Sequence, residues 1–165
     1  MTRRPSALGA VLLAAFVLAG CAAGNPTKED TVEPVPTAEH QRRLAAAYVE
    51  ETMGRSGVDW DAAQSQEYPQ ECVLPDGSAG ALYNIVRTGA GVRDPEAVTK
   101  SVGKRWAEDG LTVEYSTDKM TSGADRFLVN GSGGDVERIQ FGAATTKSSM
   151  GGVSKCGTGN AADLG

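Results

Sequence analysis

RFLVNGSGGDVERIQFGAA, residues 126–144, alternates in hydrophobicity on both sides of a glycine-rich centre. Phe127 and Val129 precede the glycines, and Ile139 and Phe141 follow them. Each half therefore puts its large apolar side chains on one face of an extended chain. Asn130-Gly131 is a turn dipeptide. The stretch predicts an antiparallel hairpin with one buried face. ALYNIVRTG (81–89) and LTVEYST (111–117) read as further strands, the second with Leu111, Val113 and Tyr115 on a common face. GGVSKC (151–156) adds a short last strand that carries Cys156.

Two segments carry helix punctuation instead. In TAEHQRRLAAAYVEETMG (37–54), Thr37 is an N-cap, Glu39 lies in the first turn and Gly54 falls at the end. Leu44, Ala45, Tyr48, Val49, Thr52 and Met53 make its stripe. In DPEAVTKSVGKRWAEDG (94–110), Asp94 caps, Pro95 takes the first turn and Gly110 stops the helix. Val98, Val102 and Trp106 repeat at helical spacing and are expected to face the core. Helix, strand, helix and then a run of strands predicts an α+β fold: a mostly antiparallel sheet of about four to five strands with two helices packed on one face.

The N-terminal region points to export. Arg3 and Arg4 precede an uncharged apolar run over 7–19, too short to cross a bilayer, which needs about 20 apolar residues. Leu18-Ala19-Gly20-Cys21 resembles the lipobox of bacterial lipoproteins at each position. In that family the cysteine thiol receives a diacylglycerol and the peptide is cut just before it. Residues 1–20 are expected to be a lipoprotein signal peptide and Cys21 the lipid attachment site, holding the chain to the extracytoplasmic side of the cell membrane. Two or more acyl chains suffice for firm attachment, whereas one alone is marginal.

AAGNPTKEDTVEPVPT (22–37) has three prolines, no aromatic residue and no apolar period. With Cys21 it reads as an anchor and solvated tether over 21–37, able to extend to about 50 Å. Residues 38–156 are expected to form a single α+β domain, and the small polar end, 157–165, a frayed tail.

Charge and cysteine usage narrow the classes. Removal of Arg3 and Arg4 lowers the 16 basic residues to 14, against 21 acidic ones, for a net of −7. An acidic domain offers no electrostatic footprint for nucleic acid. Cys72 and Cys156 remain as an even pair in an exported chain, the setting in which disulfides persist. Bridging them closes a loop of about 85 residues. The rival reading is a metal pair, but two thiols and His40, the one histidine, make a poor zinc set.

The lipobox, the proline-containing tether, a helix, a mid-chain cysteine, Gly110-Leu111 opening a strand after an amphipathic helix, and the closing SSMGGVSKC (148–156) together resemble small LppA-like lipoproteins of actinobacteria. That resemblance implies a disulfide-stapled α+β domain on the outer face of the membrane. It implies little about activity.

Catalytic patterns are weak. Ser101-Val-Gly-Lys104 matches S-x-x-K, the pairing of penicillin-interacting enzymes, but Ser-Asp-Asn and Lys-Thr-Gly do not follow it. It reads as a solvated helix face. Gly131-Ser-Gly-Gly134 lies between strands and ends at Asp135, which suits a turn better than a phosphate loop. Asn130-Gly-Ser132 also spells a glycosylation sequon, read here as part of the same turn. His40 reads as a surface residue at a helix start. The carboxylate pairs Glu50 with Glu51 and Asp59 with Asp61 show no signal of burial. Trp60, between those aspartates, reads either as a core plug or as an exposed contact anchor.

These residues favour a non-catalytic binding module that engages an envelope protein or a cell-wall component, with no cofactor and no metal. The alternative is a carrier for a lipid or other apolar ligand in a cavity between sheet and helices.

Overall fold

The computed structural model describes residues 34–164. Two helices and six strands follow in the order α1 (Ala38–Ser56), β1 (Trp60–Val73), β2 (Ala79–Ala90), α2 (Pro95–Glu108), β3 (Thr112–Lys119), β4 (Asp125–Gly133), β5 (Val136–Ala143) and β6 (Lys147–Ser154). The strands form one open sheet in the order β1-β2-β6-β5-β4-β3, and every neighbouring pair is antiparallel. α2 carries the chain from β2 to the far edge. β3 to β6 then return by hairpins until β6 closes against β2. The class is α+β as expected, but six strands replace the expected four to five.

The strand missing from the sequence reading is β1. Its residues WDAAQSQEYPQECV are mostly exposed and include Pro69. Proline cannot donate to a ladder, so it belongs on an edge strand, which is where β1 lies. A register shift between Asp61 and Gln66 bends the strand further. Neither feature leaves an alternating signature.

Helix caps fall close to their predicted places. Thr37 Oγ1 accepts from the His40 N–H at 3.2 Å, and Asp94 Oδ1 accepts from the Ala97 N–H at 3.1 Å. α1 runs through Gly54 and ends instead at Gly57, whose φ of 70° is left-handed. Its buried positions are Ala38, Gln41, Ala45, Val49 and Thr52, so the stripe is more polar than the apolar residues alone suggested.

The hairpin over 126–144 forms, with a shifted turn. β4 continues through Asn130 and Gly131, and the chain reverses at Gly134 and Asp135. Gly131 is held inside the strand because Trp106 lies over it. A Cβ there would stand 3.0 Å from Trp106 Cε3, from Ile139 Cγ2 and from Leu111 Cδ2.

α1 packs across β6, β2 and β5, and α2 across β4, β3 and β5, all on one face. Trp106, Phe141, Ile85, Ile139 and Met150 fill the layer between. Trp106 Nε1 donates to Thr52 Oγ1 at 3.1 Å, which joins the helices and satisfies the buried indole.

The expected fraying of the C-terminal segment is corrected. Gly157 exchanges both backbone hydrogen bonds with Ala81, and the Thr158 N–H donates to the Pro36 carbonyl at 2.9 Å. A short 3₁₀ turn over Ala161–Asp163 follows, and Leu164 packs with Ala38, Ala81 and Tyr83. The same bonds draw Pro36 and Thr37 into the domain, so the tether's last residues belong to the fold.

Candidate binding face

Helices on one side leave the other side of the sheet bare. In β2 the buried Ala81, Tyr83, Ile85 and Arg87 alternate with Leu82, Asn84, Val86 and Thr88, which point to the open face. Register then sets two rows across the strands. One runs Tyr68, Asn84, Val153, Arg138. The other runs Gln66, Val86, Gly151, Gln140, Asn130, Glu114, one residue from each strand.

Between these rows lies an open hollow of about 340 Å³, lined by Tyr68, Asn84, Val86, Asn130, Gln140 and Gly151 among others. Gly151 forms part of its floor: an added Cβ would meet nothing nearer than the Ile85 carbonyl at 3.9 Å. Tyr68 is 49% exposed and Val86 37%. Asn84 Nδ2 donates to Gln70 Oε1 at 3.0 Å, and Gln140 Nε2 donates to Asn130 Oδ1 at 2.7 Å. These pairs orient four carboxamides and leave each with further donors or acceptors facing solvent. No motif in the sequence marks this face. The only signal for it in the sequence is the polar half of the alternation in 81–89 and 136–143.

The helix side has its own polar groups, arranged for support. Arg87, 8% exposed at its side chain, donates to Glu50 Oε1, to Glu67 Oε1 and to the carbonyls of Gln66 and Val86. Glu67 also accepts from Arg42 at 2.6 Å, and Arg42 lies 5.5 Å from the centroid of the Tyr83 ring. Burial pushes the Glu67 carboxyl up, but the hydrogen bonds from Arg87 and Arg42 outweigh it and hold it below the usual range. Hydrogen bonds from Tyr83 and then Arg42 lower Glu39 as well. Burial, followed by the bond to Glu39, pushes the Tyr83 phenol up to about 12. This network ties α1 to the edge of the sheet.

The residues singled out from sequence fall apart spatially. Cys21 lies outside the described residues. Cys72 and Cys156 are bridged, with Cα atoms 6.0 Å apart, joining the end of β1 to the segment after β6. Trp60 opens β1 and is half-buried; its Nε1 donates to the Met53 carbonyl and Ser56 Oγ, and its ring meets Phe141 edge-on at 6.3 Å. Its indole packs against the core on one side and lines a surface hollow with Asp59 and Asp61 on the other.

Ser101 and Lys104 are exposed on α2 and line a surface cleft with Tyr48 and Asp109. Lys104 Nζ stands 3.9 Å from Glu108. His40 is exposed on α1. Asp61 accepts from the Ala63 N–H and from Gln64, and Glu50 serves Arg87. Among the described residues, no group of three or more His, Cys, Asp or Glu side chains is placed to hold a metal ion, and no helix is long and apolar enough to cross a membrane.

No family model matches the chain, and no curated protein matches it in sequence. Among solved structures, a DUF4853 family protein from Actinomyces odontolyticus is similar at a TM-score of 0.48 and 10% sequence identity, covering 74% of this chain and 67% of that one. The likeness is weak.

Proposed function

We propose that the chain is a lipid-anchored, extracytoplasmic binding module of the LppA-like kind. In this reading it does no chemistry and meets its partner, an envelope protein or a cell-wall component, with the open face of its sheet. One observation carries the reading: the helices cover a single face of the sheet, and the bare face holds a polar hollow built across the strands. The lipobox at Cys21 supplies the anchor, and residues 22–33 supply reach. The exposed Ser101, Lys104 and His40 supply no nucleophile or base held by an orienting partner in a pocket, as catalysis requires. A carrier would need space between sheet and helices, where Trp106, Phe141, Ile85, Ile139 and Met150 stand.

A photoreactive residue placed at position 68, on the open face, and separately at position 101, on the helix face, tests the proposal in native cells. Discrete envelope adducts are expected from position 68 and not from position 101. Adducts from position 101 alone would move the contact to the helices and end the open-face reading.

A further inference from the structure

The open face is unusual for what it lacks. Of the side chains lining its hollow, only Arg138 is charged among the described residues. Nearby Arg126 is already neutralised by Asp118, whose carboxylate takes both its Nε and Nη2 donors. That excludes the dense cationic field that holds a polyanion. Large apolar residues are few: Tyr68 and Val86 are the exposed ones at the hollow, with the partly buried Val153 beside them. Protein interfaces concentrate apolar and aromatic side chains at a packed centre. Here the centre is Gly151, which offers no knob and no methyl group.

What the face does present is carboxamides beside one aromatic ring. Asn84 and Gln140 spend one donor each on Gln70 and Asn130, which fixes their planes. The amide N–H and carbonyl groups left over point outward in both polarities. Hydroxyl groups are donors and acceptors at once, so a polyhydroxylated chain matches such a mixed array, while a purely anionic or apolar one leaves half of it unpaired. A pyranose ring also has an apolar C–H face, suited to the flat side of the Tyr68 phenol. The glycine floor lets a ring lie close to the sheet backbone.

We infer that the open face binds an uncharged glycan, laid across the strands with a sugar ring against Tyr68 and its hydroxyl or acetamido groups on the carboxamides of Asn84 and Gln140. The inference rests on the open-face reading above and names the ligand class for it.

The test is co-sedimentation of the full chain, kept soluble in neutral detergent, with insoluble chitin. Retention is expected, and it should persist in high salt because no charge attraction is involved. Tyr68→Ala and the pair Asn84→Ala with Gln140→Ala should each weaken retention by about tenfold or more. Lys104→Ala, on the helix side, should retain normally. Unchanged melting curves keep the variants comparable, and all substituted residues lie at the surface. No retention, retention lost in high salt, or retention indifferent to Tyr68 and the carboxamides would each overturn the glycan assignment. If chitin fails while position 68 still captures an envelope protein, the binding module stands and only the ligand class falls.

Discussion

Glu67, on the edge strand, accepts a hydrogen bond at 2.5 Å from Arg87 of the neighbouring strand, beneath α1. The guanidinium is buried, and the carboxylates that reach it balance its charge. Glu67→Gln should cost about 2–3 kcal/mol, less than the loss of a fully buried pair because Glu50 still serves Arg87. Urea unfolding would measure it. An unchanged midpoint would show that Glu50 alone satisfies the arginine.

The same network sets a pH dependence. Glu67 and Glu39 titrate below their ordinary value of 4.5 in the folded protein. A carboxyl depressed on folding contributes stability that is complete above its unfolded pKa and lost as pH falls through its folded one. Stability should therefore be flat near neutrality and decline below about pH 4.5. In Glu67→Gln that decline should be shallower. Thermal melts across this range provide the check, and equal slopes in the two proteins would count against Glu67 as a source.

Two glycines in the sheet should behave oppositely. Gly131→Ala drives a methyl against the Trp106 ring and should cost about 1–3 kcal/mol by overpacking. Gly151→Ala adds its methyl to the open hollow and should be neutral or stabilising by up to about 1 kcal/mol, since alanine loses less backbone entropy. Melting temperatures of the two variants decide the matter.

Loss of the Cys72–Cys156 bridge releases both β1 and the C-terminal segment. Chain entropy for a loop of this length gives up to about 4.6 kcal/mol. Cys156→Ser should lower the unfolding free energy by several kcal/mol. It should also speed amide exchange in β1 and in residues 157–164 ahead of the other strands. Uniform acceleration across the sheet would mean that the bridge supports the fold only globally.

Cys21→Ala should abolish lipid attachment, because the proposed thioether forms on that sulfur. Labelled palmitate recovered on the variant, as on the parent chain, would remove the anchor from the proposal.

Local chemistry in the chain was enough for the helices, their caps, four of the strands and, with its expected span displaced toward the C-terminus, β6. Thr37, Asp94 and the residues beside them satisfy helix-end groups within a single turn, so their signal is complete within a few positions. The alternation in 81–89, 111–117 and 126–144 is equally local, since one face of each strand is buried. The cysteine count pointed to the bridge for a different reason: in a chain expected to be exported, two thiols have little else to do. β1 had no such voice. Its hydrogen bonds come from β2 across the turn at 74–78, and its anchoring charges from Arg42 and Arg87, 25 and 20 residues from Glu67, so an exposed, proline-bearing segment became a strand only by pairing. The C-terminal segment likewise holds its place through Pro36, Ala81 and Tyr83. The open face is decided the same way. Tyr68, Asn84, Gly151 and Gln140 are unremarkable surface residues until strand order and register bring them side by side, and that order arises from where α2 lays the chain across the sheet.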